Sequence, residues 1–437
     1  MNIKSLVPQK TKNYYHLAQA AAANYVYGFP SRGLKVIGVT GTNGKTTTVQ
    51  MIGRILEESG KKIAMASTIN FKIAEKEWIN KTKFTTLSSF SVQKFLRQAV
   101  DAGCEYVVLE TSSHSLDQNR VWGVQYRTAV ITNVTREHLD YHKNMEHYRI
   151  AKLKLFKRVQ IAVVNLDMTN AKDYLDCASG IAKYGFTTRA DVDVRKYDCG
   201  HIETVRAADI DLGINYAHFS VDKTRFELRL PGLFNVENAL AAVSVGLAEG
   251  IAMDTMKTAL EKITGVPGRM EHVPNDKNID IIVDYALTPD SLEKLYNLVS
   301  LIRKRSAGQN TLKTHVISVM GSCGERDRGK RPMMGEIVDK HTDLMILTNE
   351  DPYGEDPWQI INEVAKGIKH KIENENFWKI MDRREAIRKA LALARPGDVV
   401  IVTGKGAEEN MMVGNEKIPW NDKRVILEEL STSDSRD

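Results

Sequence analysis

Lys45-Thr46-Thr47 stands directly after the small-residue turn Gly41-Thr42-Asn43-Gly44. These residue types in this order suit a nucleotide phosphate site. Glycines let backbone N–H groups approach phosphate oxygens, and a following helix N-terminus adds partial positive charge. Lys45 would reach the β- and γ-phosphates as a catalytic cation, and the Thr46 hydroxyl would bind Mg²⁺. Such a loop needs a strand before it and a helix after it. Val36, Ile37 and Val39 form a short apolar, β-branched run, and Val49, Met51, Ile52, Ile55 and Leu56 follow at helical spacing. The match to G-x-x-x-x-G-K-[ST] is not strict, because Val39 takes the place of the first glycine. A strand-turn-helix without a ligand is the plain alternative. The order of turn, lysine, hydroxyl and flanking elements favours the ligand.

A second carboxylate-bearing position belongs with this loop. Residues 106–109 read as an apolar strand that ends on Glu110. A carboxylate at the C-terminal tip of a parallel strand beside a phosphate loop is placed to bind Mg²⁺. A solvated strand-end acid is the bland reading, and the loop upstream weighs against it.

Composition bounds the function. The 437 residues suggest two to three domains, and 42% hydrophobic residues are enough for real cores. The formal charge is +6, from 61 basic and 55 acidic residues. That mild, mixed balance suits anionic small substrates and gives no argument for nucleic acid. Cys104, Cys177, Cys199 and Cys323 are widely scattered with no C-x-x-C pair, so a reducing compartment fits better than a zinc site or disulfide framework. No apolar run is long enough to span a membrane and no signal-peptide core is evident, so a cytoplasmic, monomeric enzyme is expected. Residues 1–35 read as a short helical leader, closed by Gly28, Pro30 and Gly33. Its low charge favours packing on the next domain over membrane contact.

The stretch TGTNGKTT resembles the ATP loop of the Mur ligase superfamily, ATP-dependent enzymes that form amide bonds in bacterial cell-wall synthesis, with folate-tail relatives. Residues 110–121, ETSSHSLDQNRV, are similar to the branch called MurE, the UDP-N-acetylmuramoyl-dipeptide ligases that add the third residue of the stem peptide. Thr85-Thr86 resembles that branch's Thr-Thr-Pro substrate loop, with Leu87 in place of proline. The resemblance implies that Thr85, Thr86, Ser112 and Arg120 contact the sugar-peptide substrate, for which hydroxyls and a guanidinium are suitable partners. Residues 133–142, NVTREHLDYH, match the pattern Asn-x-x-x-[Asp/Glu]-His-Leu-Asp, which implies a metal-ligating and catalytic His138. Lys152 occupies the slot of a lysine that similar ligases carbamylate, which would turn a cation into an anion near Mg²⁺ and the γ-phosphate. An unmodified surface lysine is the plainer reading.

Asn235 and Asn238, three apart at the start of an apolar helix, share one face. Amides there can pair with an adenine edge, as the family uses this segment, or Asn235 can cap the helix. Residues 265–271, GVPGRME, read as the hinge, and the resemblance places Arg269 on the nucleotide phosphates. It also places Asp284 among the cofactor-binding residues, in DYALTPD, where Leu287 stands for the family's histidine. Residues 321–332, GSCGERDRGKRP, read as a glycine turn whose Arg326, Arg328, Lys330 and Arg331 suit an anionic substrate or form a solvated basic loop.

Acceptor specificity is expected in residues 348–357, TNEDPYGEDP. Relatives that add diaminopimelate carry Asp-Asn-Pro-Arg where this chain has Glu350-Asp351-Pro352-Tyr353. Asp351 and Glu408 together would bind an ammonium, which points to lysine or another diamine. Ala407 replaces a family histidine beside Glu408.

The expected fold is α/β, a P-loop-type ATPase domain with a mostly parallel sheet at 36–266 followed by a Rossmann-like domain at 267–437. The expected reaction is ATP-driven formation of an acyl phosphate on a muramoyl-peptide carboxylate, then attack by a free amino acid, with Mg²⁺ as cofactor. The resemblance runs over nearly the whole chain from residue 36. The family normally has about a hundred further residues that hold the uridine nucleotide, so a donor without UDP is a second expectation. Two further readings stay open, a folylpolyglutamate-type or amino-acid-polymer ligase and a nucleotide-binding protein that has lost catalysis. Thr85-Thr86 with the Ser-Ser-His segment opposes the former; Leu287 and Ala407 support the latter, and intact Lys45, Glu110, His138 and Lys152 oppose it.

Overall fold

The computed structural model describes residues 8–82, 85–178, 182–213, 215–307, 314–414 and 416–433. The first seven residues of the leader and the last four of the C-terminal stretch lie outside them.

The phosphate-loop strand Lys35–Thr40 is the centre of a nine-stranded sheet. All its residues after Lys35 are buried, which explains the continuous apolar run. It pairs in parallel with Tyr106–Glu110 on one side and Tyr126–Ile131 on the other. Parallel strands Ile161–Asn165, Ala182–Thr187 and Glu203–Arg206 extend the sheet beyond Tyr126–Ile131. Ile63–Ala66 lies beside Tyr106–Glu110, and the antiparallel pair Asn70–Ile73 and Lys76–Ile79 completes that edge. A three-stranded antiparallel sheet, Ala208–Leu212, Ala217–Val221 and Thr224–Leu228, supplies Phe219 and Phe226 to the same core. Residues 170–230 thus add strands to both of these sheets. They also include the helix Ala171–Cys177.

Helix Lys45–Glu58 packs its apolar stripe on helix Leu233–Ala248, which is buried on nearly every face. Helix Gln9–Val26 forms the leader. Its Asn24 amide donates to the Trp122 carbonyl at 2.8 Å, and its Asn13 amide to the Asp117 carbonyl at 3.1 Å. Packing on the neighbouring sheet unit follows, as the low charge suggested.

The second sheet has six strands, in the order Glu271–His272, Asp280–Asp284, Val399–Thr403, Val316–Met320, Leu344–Leu347 and Phe377–Lys379. All neighbours are parallel except the first pair. Helices cover both faces, as in a doubly wound fold. The two short edge strands and the hairpin Asn410–Val413 with Glu416–Pro419 carry no readable period in the sequence. Among the described residues no helix is long and apolar enough to cross a membrane.

Candidate active site

The loop after Lys35–Thr40 is held from below by residues 132–135. The Asn43 N–H donates to Asn133 Oδ1 at 2.9 Å, and Thr132 Oγ1 donates to the Asn43 carbonyl at 2.6 Å. Thr135 N–H donates to Thr42 Oγ1 at 3.0 Å. Two glycines are required by the close fit. Gly41 has φ 151, and a Cβ there would lie 1.9 Å from Thr132 Oγ1. Gly44 has φ 82, and a Cβ there would lie 2.2 Å from Asn238 Oδ1.

Lys45 donates to its own loop, to the Thr42 carbonyl at 2.8 Å. Burial holds its pKa below the usual lysine range, with Glu110 opposing that shift. Thr46 Oγ1 donates to Glu110 Oε2 at 3.0 Å, and the Thr68 N–H reaches the same oxygen at 2.7 Å. Glu110 is opposite Val39 in the parallel register, at the strand tips where ligands of open sheets bind. A hydroxyl and a carboxylate in contact are hard oxygen donors that fit Mg²⁺. His138 is half-buried with φ 57. Burial, then neighbouring His114, holds its imidazole neutral well below the usual pKa. The His114 ring meets it edge-on, 4.6 Å away at 90°.

These groups face one cavity of about 280 Å³ between the two sheets. Thr42, Asn43, Gly44, Lys45, Thr46, Thr47, Thr85, Glu110 and His138 line it from the first sheet unit. Asn235 and Asn238 line it from the buried helix, and Arg269, Asp284, Asp351 and Glu408 from the other side. Gly41, Thr86, Ser112, Arg120 and Lys152 do not reach its wall. A larger groove, about 920 Å³, lies by the hinge residues 264–267 and contains none of the phosphate-loop residues.

Lys152 is 1% exposed, and its Nζ donates to the Gly41 carbonyl at 2.6 Å and lies 4.3 Å from the Tyr148 ring centroid. Burial, with the Lys45 charge added, lowers its pKa far below the lysine range. It is a buried amine directly under the loop. The plainer alternative of a surface lysine does not hold, because the side chain is buried.

Thr86 fastens its loop to the end of the Tyr106–Glu110 strand. Its Oγ1 donates to the Glu110 carbonyl at 3.0 Å and accepts from Ser112 N–H at 2.9 Å, while Arg120 donates to the Thr86 carbonyl at 2.7 Å. Ser112 Oγ caps the short helix Ser113–Asp117. Only Thr85 of these four faces the cavity. Asn235 does not cap its helix. Its amide donates back to the Pro231 carbonyl at 2.8 Å and accepts from Asn238 at 3.2 Å. Asp284 accepts from Met270 N–H and Ala286 N–H, both at 2.7 Å, and so fixes the chain after the hinge. Arg269 lies with its guanidinium 4.3 Å over the Tyr285 ring.

In two places the charged residues expected to meet substrate are already paired within the protein. Asp351 and Glu408 already hold an ammonium, that of Lys405, with Asp351 Oδ2 at 2.9 Å and Glu408 in closer contact. Burial opposes the Lys405 charge, but the two carboxylates more than offset it and keep the amine protonated. The dense basic loop is mostly spent as well. Arg331 is fully buried against Glu355 at 2.9 Å and Glu363 at 2.7 Å, and Arg328 pairs with the same two acids. Lys330 pairs with Glu137 at 3.0 Å. Its segment is the start of helix Lys330–His341, not a continued turn.

What remains at the cavity wall is Arg326 and Glu350. Among the described residues Arg326 has no carboxylate partner, and it lies 5.8 Å over the Tyr353 ring. Glu350 is buried, and its Oε2 has no hydrogen-bond partner among the described residues. Burial pushes its carboxyl up to about 7, with Arg383 and Lys405 opposing. Sequence reasoning missed Glu350 because only its neighbours carried a recognisable charge change.

Comparison with known proteins places this geometry. Residues 39–246 match the Mur ligase middle domain, and residues 268–406 match the Mur ligase glutamate ligase domain. A UDP-N-acetylmuramoyl-L-alanyl-D-glutamate–2,6-diaminopimelate ligase of Syntrophomonas wolfei is 39% identical over 415 residues, covering 94% of this chain and 80% of that one. The chain belongs to the Mur ligase family. A UDP-N-acetylmuramyl-tripeptide synthetase of Roseiflexus is 41% identical over 424 residues, 93% of this chain and 80% of that relative. Among solved structures, a UDP-N-acetylmuramoyl-L-alanyl-D-glutamate–2,6-diaminopimelate ligase aligns with a TM-score of 0.57 and 30% identity, over 92% of this chain and 79% of that one. As a Mur ligase, this chain is an ATP-dependent ligase that forms an amide bond.

Proposed function

We propose that this Mur ligase joins a free amino acid to the peptide carboxylate of UDP-N-acetylmuramoyl-L-alanyl-D-glutamate, the donor in its relatives' names. The observation that carries the reading is the single cavity in which Lys45 and Thr46 face Arg326 and Glu350 from the other sheet. Phosphoryl transfer and amine attack need both ends in one water-poor space. Residues 36–266 are assigned to nucleotide handling and 267–437 to the amino acid.

In the first step a carboxylate oxygen of the peptide attacks the γ-phosphorus of ATP, the bond to the β,γ-bridging oxygen breaks, and ADP leaves. Lys45 and Arg269 offset the negative charge on the transferred group. Thr46, Glu110 and His138 would hold Mg²⁺, which supplies charge neutralisation there. Asn235 and Asn238 support the loop from beneath and offer an amide edge to adenine. Thr86, Ser112 and Arg120 hold Thr85 toward the peptide. Burial lowers the Lys152 pKa and so favours the amine form, which would add through nitrogen to the carbon of CO₂ and lose one proton to solvent, putting a carbamate anion beside the loop. In the second step the neutral amine of the amino acid attacks the acyl carbon, phosphate leaves, and the amine proton passes to solvent or phosphate.

The acceptor end favours an amino acid that brings one carboxylate for Arg326 and an ammonium for Glu350. With the ammonium of Lys405 already shared by Asp351 and Glu408, and with Arg269 assigned to the phosphates, Arg326 is the guanidinium left at this end for an acceptor carboxylate among the described residues. That matches a lysine-type acceptor, whereas the relatives' names give diaminopimelate. Trapping tests the mechanism: with donor, Mg-ATP and hydroxylamine but no amino acid, a donor hydroxamate is expected. ADP formation without hydroxamate would oppose an acyl phosphate.

A further inference from the structure

A groove of about 900 Å³ lies at the opposite end of the first sheet from the phosphate loop. Lys35, which begins the central strand, lines it, while Thr40 at the other end leads into the loop. Six residues of strand separate the two, roughly 20 Å. The groove is outside the active site.

Six cations line it: Arg32, Lys35, Arg127, Lys154, Lys157 and Arg158. No lining residue is acidic. Two carboxylates behind the wall serve three of the six. Glu249 takes Arg127 at 2.8 Å and Lys35 at 3.7 Å, and Asp117 takes Lys154 at 2.8 Å. Arg32, Lys157 and Arg158 are exposed and make no ion pair among the described residues. Arg32 lies 4.6 Å over the Phe29 ring, which orients its guanidinium without neutralising it. Trp122 sits on the same wall, 47% exposed. The plain reading of Lys157 and Arg158 is that they complement the C-terminal end of the helical segment Lys154–Phe156. That accounts for neither Arg32, which comes from the leader, nor the absence of acids around a concave surface.

We propose that this groove binds a phosphate-bearing ligand. Guanidinium forks match phosphate oxygens, unpaired cations supply the attraction, and an exposed indole can lie against a base or an acyl boundary. Two sources share that chemistry, a soluble polyphosphate or nucleotide and the headgroups of an anionic lipid surface. Arg32, Lys157 and Arg158 lie outside the catalytic machinery, so the site can be removed without touching turnover.

The test uses the full chain and its R32Q/K157Q/R158Q variant, each also carrying K45A to silence the phosphate loop. Inorganic tripolyphosphate is titrated calorimetrically, and vesicles of phosphatidylglycerol or phosphatidylcholine are sedimented with the protein. Removing three cations is expected to weaken anion binding roughly a hundredfold, at about fivefold per charge, with ligase turnover unchanged when Lys45 is intact. Binding of tripolyphosphate alone identifies a soluble ligand, and binding of phosphatidylglycerol vesicles alone identifies a lipid surface. Equal binding of every probe by K45A protein with and without the three cations overturns the proposal, as does loss of all binding on K45A alone.

Discussion

The Lys330 ammonium, at the start of a helix on the second sheet, lies 3.0 Å from the Glu137 carboxylate of the first sheet unit, and both are buried. Lys330 also donates to the Leu287 carbonyl at 2.9 Å. Glu137 precedes His138, so this pair fastens the second unit to the candidate metal-binding segment. Asn43 of the phosphate loop makes a parallel fastening to Asp290 at 2.7 Å.

Breaking a buried pair from one side leaves an uncompensated charge. K330M is expected to destabilise the closed arrangement by about 3–5 kcal/mol. The double variant E137Q/K330M should recover much of that loss. Thermal unfolding and small-angle scattering read both. A K330M protein as stable and as compact as wild type would show that the pair does not hold the units together.

Lys152 gives a second prediction. If an anion is needed under the loop, K152A should lose at least about a hundredfold in turnover. Added formate or acetate should restore part of it, because a small carboxylate can occupy the space that a carbamate would. A K152A protein with wild-type rate, or a loss that no carboxylate relieves, contradicts the assignment.

Glu350 makes stability depend on pH with an unusual sign. Its folded-state value, about 7, lies above the ordinary 4.5. The folded protein therefore binds the proton more tightly than the unfolded chain. The resulting stabilisation is present below pH 4.5 and is lost as pH rises toward 7, on the order of 3 kcal/mol in all. E350Q should flatten that slope and be the more stable form at about pH 8. Denaturant midpoints between about pH 4 and 8 measure it, and parallel wild-type and E350Q profiles would contradict the shift.

The phosphate loop, its strand and helix, and Glu110 were legible because their chemistry is local. Four adjacent residue types and two periodicities carry it. The fate of the charged residues was not legible. Asp351 and Glu408 look like an empty ammonium site until Lys405, 54 positions from Asp351, arrives between them. Lys330 and Arg331 look like substrate cations until Glu137, Glu355 and Glu363 fold against them. Lys405 and Glu408 are only three residues apart, but the pairings with Asp351, Glu137, Glu355 and Glu363 are tertiary contacts that no spacing rule encodes. Short edges such as Glu271–His272 and Phe377–Lys379 escaped detection because two or three residues contain no period.

The proposed role of phosphoryl transfer in this Mur ligase is to drive the joining of an amino acid to a muramoyl-peptide. Phosphate release from Mg-ATP with UDP-N-acetylmuramoyl-L-alanyl-D-glutamate, measured with and without lysine, ornithine or diaminopimelate, tests it most directly. Sustained release that needs both the donor and one amino acid, and that falls by about a thousandfold or more in K45A, is the expected result. No release with any pair, or release indifferent to the amino acid, would contradict it.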